Sequence, residues 1–265
     1  MPLIQHTRKG QGSPPIVFVH GFGCARSDWD AQVAYFSPSH ETVAVDLGAH
    51  GTSPGGPEHA TIETHGADVA ALIDDLQLAP AVLVGHSMGC RVVLEAAQRT
   101  PSRVKAIILV DGSRLGETGS KAWEARAKAI QEHGYAKFIT AAFSQMFGPD
   151  YEKGKAAAII KRAVDRDPAI AGPLFADIGR YDSELMDRVL SATRVPLMAI
   201  QTTVTRPDGK RLAMAKGETT PYLDLLRAKL KGPRIEIIPG IGHFPQLERI
   251  EETNALMEDF IRGLG

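Results

Sequence analysis

The sequence contains little of what marks several large classes of protein. Its 30 Lys and Arg residues nearly balance its 31 Asp and Glu residues, so the formal net charge is −1. No run of Lys or Arg concentrates the positive charge, and we therefore expect no nucleic-acid partner. No stretch approaches the roughly 18 uninterrupted apolar residues that a bilayer requires, so we predict no membrane span.

Cysteine motifs and targeting signals are scarce as well. Cys24 and Cys90 are too few and too far apart for a disulfide framework or a CxxC metal site. The nine histidines show no HExxH motif and no paired helical spacing, so we predict no metal and no cofactor. The N-terminal residues lack the continuous apolar segment of a secretory signal, which predicts a cytoplasmic location.

The sequence does contain short β-branched runs that alternate with longer helical patterns. Near-continuous apolar runs of this kind predict strands with both faces buried. They span 15–20, 41–46, 81–85, 104–111, 195–201 and 234–239. The helical patterns span 28–36, 62–76, 88–99, 220–230 and 247–261. The alternation predicts an α/β fold built around a mostly parallel sheet.

The alternation is interrupted once. From 115 to about 190 no strand-like run occurs, and apolar residues recur at helical spacing. We therefore predict a core formed by residues 1–114 and 191–265, with an all-helical cap inserted at 115–190. Nothing in the composition resembles a linker, so the cap is expected to be an insertion and not an independent domain.

The segment GHSMG, residues 85–89, follows one predicted strand and precedes a predicted helix. Small residues two positions before and two after Ser87 permit a tight strand-to-helix turn, in which the serine is strained and exposed. The alternative is a serine that merely caps a helix in a plain turn. The strand before it and the helix after it favour Ser87 as a nucleophile.

A second glycine-flanked loop, HGFG at 20–23, ends the first predicted strand. We predict that the backbone N–H groups of Phe22 and Met88 form an oxyanion hole, because such donors stabilise charge that develops on a substrate oxygen. We expect His20 to be a structural hydrogen-bonding residue. A plain turn leading the chain off the strand is the alternative for this loop.

His243 lies in the glycine loop of RIEIIPGIGHFPQLE, after the last predicted strand. Serine at its ordinary pKa is a poor nucleophile and requires a base that is neutral near pH 7, a role that imidazole fills best. We predict that His243 is this base, and the alternative is a solvated loop histidine.

These motifs together resemble the α/β-hydrolase family, in its branch of capped esterases, lactonases and C–C hydrolases. The matching segments cover nearly all of the chain and are HGFG with Trp29 following, VDLGAHGTS, GHSMG, LVD at Asp111 and PGIGHFPQLE. The resemblance implies a mostly parallel central sheet with helices on both faces, and a helical cap inserted after the sixth strand of the family's usual sheet. Two features depart from the family: Ala49 replaces a glycine, and the N-terminus is too short for the usual leading hairpin.

The resemblance leaves the acid of the triad open. The family most often supplies it after the strand at 195–201, but Thr205 occupies that position. Asp208 lies nearby in RPDG, which is also an ordinary β-turn signature. Asp111 ends the strand after the nucleophile helix, and haloalkane dehalogenases and a zearalenone-type lactonase are similar in taking their acid from that strand end. Asp111 is our first choice and Asp208 the second.

The resemblance implies a cofactor-free serine esterase that cleaves a small or medium carboxylic ester, or a lactone, through an acyl-enzyme. We expect five residues to bind the substrate: Phe22, Met88, Phe143, Met146 and Phe147. The cap residues among them also fit a plain core between helices. C–C bond hydrolases and cofactor-free perhydrolases share the triad, and some family members are small-molecule receptors with slow turnover. A homodimer is compatible with the sequence.

Overall fold

The computed structural model describes residues 4–206 and 210–265. Its strands are β1 His6–Lys9, β2 Ile16–Val19, β3 Thr42–Val45, β4 Ala81–His86, β5 Val104–Val110, β6 Leu197–Gln201, β7 Thr203–Thr205, β8 Arg211–Ala213 and β9 Arg234–Ile237. Seven of them form one sheet in the order β1-β3-β2-β4-β5-β6-β9. Neighbouring strands are parallel except β1, which runs antiparallel to β3. The remaining two, β7 and β8, form a separate antiparallel ribbon.

Helices connect most of these strands. They are α1 Asp30–Phe36, α2 Ile62–Asp75, α3 Met88–Arg99, α4 Ala122–His133, α5 Tyr135–Phe143, α6 Lys153–Val164, α7 Pro168–Glu184, α8 Met186–Ala192, α9 Pro221–Lys229, α10 Pro245–Glu248 and α11 Ile250–Arg262. Among these helices, none combines the length and hydropathy that a bilayer-crossing segment requires.

Alternate residues of each strand point to opposite faces of the sheet, and an apolar cluster covers each face. In β5, Ile107 and Leu109 join the apolar cluster that also contains residues of α2, α3, α8 and α9. Ala106, Ile108 and Val110 join the opposite cluster, to which α1 and α11 contribute. The sheet therefore lies between two helical layers, as in a doubly wound α/β protein.

Between β5 and β6 the regular elements of the described chain are all helices, from α4 to α8. Buried or half-buried ion pairs join this segment to the rest of the molecule. They are Arg91–Asp182 at 2.7 Å, Arg162–Asp28 at 2.5 Å and Arg180–Glu63 at 2.6 Å. The last helix of the segment, α8, packs against α3 and α9. The domain boundaries at 115 and 190 stay a prediction.

The α/β fold and the six predicted strands are confirmed, with strand ends that differ from the predicted ones by at most two residues. Two elements were not predicted. The first is β1, an edge strand of only four residues, HTRK, that pairs with β3 and carries no apolar run. The second is the ribbon of β7 and β8, whose strands are three residues each and too short for a periodicity to appear. Ala49, in the family's glycine position, adopts a φ of 54°.

Candidate active site

Ser87 stands on the sharp turn between β4 and α3. Its φ of 55° is left-handed backbone, which a non-glycine residue adopts only where its surroundings impose it. Two glycines make room for the turn. A Cβ on Gly85 would lie 2.3 Å from the carbonyl oxygen of Gly89, and a Cβ on Gly89 would lie 2.5 Å from that of Val19. The turn therefore holds Ser87 at the carboxyl edge of the sheet, directly before the first turn of α3.

His243 lies in the loop between β9 and α10. Its Nε2 atom is 2.8 Å from Ser87 Oγ. Two hydrogen bonds fix the loop: the backbone N–H of His243 donates to the carbonyl of Met146 at 2.6 Å, and Thr202 Oγ1 donates to the carbonyl of Gly242 at 2.7 Å. The helical segment and the end of β6 thus both position the imidazole.

Asp111 follows β5 directly and is fully buried, with a φ of 43°. Its Oδ2 atom lies 2.5 Å from His243 Nδ1 and accepts a hydrogen bond from the Thr203 hydroxyl at 2.5 Å. Its Oδ1 atom accepts from the backbone N–H groups of Thr202 at 2.7 Å and Thr203 at 2.8 Å. Donors on both oxygens favour the ionised carboxylate.

The other positions considered for the acid are located differently. Thr205 is exposed at the end of β7, where it pairs with Arg211 across the ribbon. Asp208 lies outside the described residues. Among the residues that the structure describes, Asp111 is the carboxylate that reaches His243.

Burial and neighbouring charges set the protonation of this pair. Burial opposes ionisation of Asp111, but the hydrogen bond and charge of His243, the charge of Arg211 and the bond from Thr203 outweigh burial and lower the Asp111 pKa. Burial lowers the pKa of His243 to about 4, with Arg211 adding to the effect and Asp111 opposing it. At neutral pH the carboxylate is therefore ionised and the imidazole neutral, and a neutral imidazole can accept a proton.

The loop after β2 approaches the serine closely. A Cβ on Gly21 would lie 3.0 Å from Ser87 Cβ, so only glycine permits this contact without a shift. The next N–H, that of Phe22, and the N–H of Met88 have no acceptor within residues 4–206 and 210–265. Both residues border the cavity beside Ser87. Two unpaired donors at one cavity can bind an oxygen that acquires negative charge.

His20 holds this loop in place through two hydrogen bonds. It is fully buried, its Nε2 accepts from the N–H of Leu47 at 3.1 Å, and its Nδ1 donates to the carbonyl of Gly21 at 2.7 Å. Burial lowers the pKa of His20 to about 4, so the ring stays neutral in this arrangement. These contacts agree with the structural role expected for His20.

A cavity of about 50 Å³ lies beside Ser87. Four of the predicted substrate residues line it: Phe22, Met88, Phe143 and Met146. The fifth, Phe147, does not. Its ring stacks on Phe244 at a centroid distance of 5.0 Å and on Tyr151 at 5.4 Å. Phe147 therefore supports the loop that carries His243, because its ring is taken up by these two aromatic contacts.

Two arginines that no motif singled out also line the cavity. Arg91, on α3, forms a bidentate pair with Asp182, with both N···O distances 2.7 Å. Arg211, on β8, donates to Thr203 Oγ1 at 2.6 Å and lies 3.5 Å from Asp111 Oδ2. Local sequence patterns could not have identified either residue. Asp182, the partner of Arg91, lies 91 positions away in the sequence, and Arg211 lies on a ribbon that was not predicted.

A second concavity lies elsewhere in the described part of the chain. A larger groove of about 510 Å³ between α4 and α7 is lined by residues such as Trp123 and Pro173 and contains no member of the Ser87 site. Within the described ranges, no group of three or more His, Cys, Asp or Glu side chains is arranged to hold a metal ion. Among the described residues, the cavity beside Ser87 is therefore the candidate site, because it brings together a serine hydroxyl, a neutral imidazole and two unpaired N–H groups.

A model of the alpha/beta hydrolase family matches residues 16–256, a span that includes Ser87, Asp111 and His243. The chain belongs to the alpha/beta hydrolase family. This α/β hydrolase is 33% identical over 260 residues to 2-(acetamidomethylene)succinate hydrolase of Mesorhizobium japonicum, across 96% of this chain and 89% of that protein.

More distant similarities extend this picture. The α/β hydrolase is 27% identical over 263 residues to the dihydrolipoyllysine-residue acetyltransferase component of the acetoin cleaving system of Pseudomonas putida, across 96% of this chain but only 65% of that relative. In fold it is similar to the enol-lactonase from Burkholderia xenovorans, with a TM-score of 0.78 at 23% identity over 98% of this chain and 96% of the lactonase. At that identity the likeness concerns the fold alone.

Proposed function

We propose that this α/β hydrolase is a serine esterase that cleaves a small carboxylic ester or a lactone through an acyl-enzyme. In this proposal Ser87 is the nucleophile, His243 the general base and acid, and Asp111 the acid of the triad. The N–H groups of Phe22 and Met88 form the oxyanion hole. Membership of a hydrolase family supports hydrolysis, and the nature of the bond is the proposed part.

One observation carries the proposal: Ser87, His243 and Asp111 are joined in a single line of hydrogen bonds. The distances are 2.8 Å from Ser87 Oγ to His243 Nε2 and 2.5 Å from His243 Nδ1 to Asp111 Oδ2. A serine hydroxyl requires such a base, and the base requires a carboxylate that fixes its tautomer and stabilises the imidazolium.

The steps follow from these positions. His243 Nε2 removes the Ser87 proton as Oγ attacks the carbonyl carbon, and the carbonyl oxygen becomes an oxyanion held by Phe22 and Met88. The imidazolium then returns the proton to the leaving alcohol as its bond to the acyl carbon breaks. A water molecule deprotonated by His243 attacks the ester on Ser87, and the acid leaves as the serine is protonated again.

The size of the cavity favours a short acyl group. The cavity beside Ser87 measures about 50 Å³, against about 510 Å³ for the groove between α4 and α7, so it is the narrower of the two by far. The lining is partly apolar, through Phe22, Phe143 and Met146. Longer acyl chains would require the helical segment to move. The relative from Mesorhizobium japonicum, named as a hydrolase of a substituted succinate, supports a small substrate.

The test is steady-state hydrolysis of p-nitrophenyl esters from acetate to octanoate. We expect multiple turnovers, an optimum at acetate to butyrate, and complete loss in Ser87→Ala. Ser191→Ala is the matched control, since Ser191 is exposed on α8 and remote from the cavity. A single burst without turnover contradicts the esterase proposal and favours the receptor or C–C hydrolase alternative. Activity that survives in Ser87→Ala contradicts the assignment of Ser87 as the nucleophile.

The remaining expectations stay predictions. We propose a small-molecule ester or lactone as the partner of this site, and a cytoplasmic location and a homodimer are expectations from the sequence alone. Size-exclusion chromatography with light scattering measures the oligomeric state, and a monomer across the micromolar range would exclude the dimer.

A further inference from the structure

Arg211 contributes a positive charge to the wall of the cavity that contains Ser87 and His243. It lies on β8, its side chain is 12% exposed, and it borders the cavity directly. A guanidinium removed this far from water is costly unless its N–H groups are paired, so its partners indicate what the site is built to hold.

The two arginines of the cavity differ sharply in their pairing. Arg91 is paired at all three nitrogens: Asp182 binds its Nε and Nη2, the carbonyl of Ser87 accepts from Nη1 at 3.2 Å, and the carbonyl of Ser113 accepts from Nη2 at 2.8 Å. Its role is structural, since it joins α3 to α7.

Arg211 is paired at one nitrogen only. Its Nη1 donates to Thr203 Oγ1 at 2.6 Å and lies 3.5 Å from Asp111 Oδ2, a carboxylate already bound by His243 and two threonines. Within residues 4–206 and 210–265, its Nε and Nη2 donate to no acceptor. A carboxylate is the group whose two oxygens match such a pair of donors.

The position of this guanidinium relative to the reacting atoms limits where that carboxylate can be. Arg211 Nη1 lies 3.2 Å from His243 Nδ1, and His243 Nε2 lies 2.8 Å from Ser87 Oγ. One imidazole ring therefore separates the guanidinium from the nucleophile. An anion bound by Arg211 would lie only a few bonds from a carbonyl carbon held at Ser87.

We propose that Arg211 binds a carboxylate of the substrate, so that this hydrolase prefers short esters or lactones carrying a free carboxylate a few bonds from the scissile carbonyl. This inference rests on the proposed function, and it narrows the substrate class from small esters to half-esters of short dicarboxylic acids and their lactone equivalents. Hydrogen bonds between two charged partners are about twice as strong as neutral ones, and this difference favours an ester that carries a carboxylate over a neutral ester.

The test compares two esters of equal acyl length, p-nitrophenyl hydrogen succinate and p-nitrophenyl butyrate, at pH 7. We expect kcat/KM to be higher for the succinate half-ester, and Arg211→Gln to lower the succinate-to-butyrate ratio about 10- to 100-fold. Arg211 also borders Asp111, so its replacement can disturb the triad. Both esters need the triad, so the butyrate rate measures that disturbance, and the succinate-to-butyrate ratio measures the effect of the substrate carboxylate. Arg211→Lys should keep part of the preference.

Arg206→Gln is the matched control, because Arg206 lies just after β7, is half exposed and pairs with Glu218 at 3.0 Å. It removes the same charge without lining the cavity, and the ratio should not change. An equal fall of both rates in Arg211→Gln, or no preference in the wild type, overturns the proposal.

A binding measurement separates this inference from the esterase proposal. In the Ser87→Ala background, calorimetry with monoethyl succinate should detect binding that is at least tenfold weaker when Arg211→Gln is added. If ester turnover is absent but this Arg211-dependent binding is present, the carboxylate site stands and the esterase proposal fails. If esters are hydrolysed and monoethyl succinate binds equally well to both proteins, the carboxylate site is refuted alone.

Discussion

At the residue scale, the proposed function depends on the contact between one buried carboxylate, Asp111, and one imidazole, His243. Asp111 receives four hydrogen bonds, from His243, from the Thr203 hydroxyl and from two backbone N–H groups. A neutral amide in its place would hold the imidazole less well and could not stabilise its positive charge. Replacing Asp111 by asparagine is therefore the change that best separates an effect on catalysis from an effect on packing.

We predict that Asp111→Asn lowers kcat for p-nitrophenyl butyrate by about 1,000- to 10,000-fold while the protein stays folded. Asp208→Asn is the comparison, since Asp208 was the second choice for the acid, and we expect its kcat to stay within a few-fold of wild type. Both rates are read from p-nitrophenolate release, and folding from near-UV circular dichroism. The reverse result, with Asp208→Asn inactive and Asp111→Asn active, would reassign the acid.

The pH dependence of the reaction follows from the protonation of His243. Burial, and then Arg211, lower its pKa to about 4, and only the neutral imidazole accepts the serine proton. We therefore predict that kcat/KM rises with pH through an apparent pKa well below 6.5 and is level across neutrality. Arg211→Gln removes a nearby positive charge, so its acid limb should move to higher pH. An acid limb at or above 6.5 in the wild type contradicts the lowered pKa of His243.

How far these residues could be predicted depends on the kind of signal each one leaves. Ser87 and His243 lie in glycine-rich turns whose local geometry imposes a short motif, so both could be proposed from the sequence. Asp111 could be proposed but not separated from Asp208, because their proximity to His243 is a tertiary property. Arg211 and Thr203 left no signal, since each belongs to a three-residue strand without periodicity.

At the scale of single elements, the turn between β4 and α3 is the most constrained feature of the site. A Cβ on Gly89 would lie 2.5 Å from the carbonyl oxygen of Val19 and 2.7 Å from that of His20, both of them backbone atoms that cannot rotate away. The turn therefore needs glycine for space, and the constraint involves β2 as well as α3.

We predict that Gly89→Ala destabilises the protein by about 3 kcal/mol, because overpacking against backbone forces the strand and the helix apart. Gly172→Ala is the matched control on α7, where the added methyl would meet only Ile130 Cγ2 at 3.5 Å. That change should be neutral or stabilise by about 0.5–1 kcal/mol, since alanine loses less backbone freedom than glycine. Urea unfolding measures both, and equal stabilities for the two variants would refute the steric argument.

The elements themselves were predictable to different degrees for a physical reason. Strands buried on both faces are largely apolar, and β2 to β6 left clear runs in the sequence for this reason. The two edge strands differ: half-buried β9 still belongs to a run with several isoleucines, whereas β1 carries exposed Arg8 and Lys9 and no apolar run.

At the scale of the whole molecule, buried charge joins the helical segment to the core. The Arg91–Asp182 pair is almost completely buried on both sides and connects α3, which begins directly after Ser87, with α7. Removing one member of such a pair leaves the other charged and uncompensated. The contact spans 91 positions of sequence, so no local pattern could have predicted it.

We predict that Asp182→Ala lowers the free energy of unfolding by about 3–5 kcal/mol. Asp187→Ala is the control, because Asp187 pairs with Arg114 and Lys229 at a partly exposed site and should cost about 1 kcal/mol or less. Replacing both partners, in Arg91→Met/Asp182→Leu, should restore much of the loss. A cost for Asp182→Ala no larger than that of Asp187→Ala would show that the buried pair does not hold the two parts together.

The buried histidines should make the whole molecule sensitive to acid. Burial lowers the pKa of His20 to about 4 and that of His65 to about 3. Between these values and the ordinary 6.5, the unfolded chain binds protons that the folded chain does not, so stability rises with pH in this window and is lost as pH falls through it. Each histidine contributes a loss of about 2 kcal/mol between pH 7 and pH 5.

His65 offers the cleanest test, because neither ring nitrogen has a hydrogen-bond partner within the described part of the chain. We predict that His65→Leu reduces the loss of unfolding free energy between pH 7 and pH 5 by about 2 kcal/mol. His133→Leu, at an exposed position on α4, should leave that slope unchanged. Urea titrations at both pH values give the comparison, and an unaltered slope in His65→Leu would rule out this origin of the acid sensitivity.

The most direct test of the central claim is covalent labelling of the nucleophile with a fluorophosphonate, followed by intact-protein and peptide mass spectrometry. This reagent needs an activated serine and no knowledge of the substrate. We predict one adduct per chain, on the peptide that contains Ser87, with none in Ser87→Ala and a much slower reaction in His243→Gln. A wild-type protein that stays unmodified, or that carries the adduct elsewhere, would contradict the assignment of Ser87 as the nucleophile activated by His243.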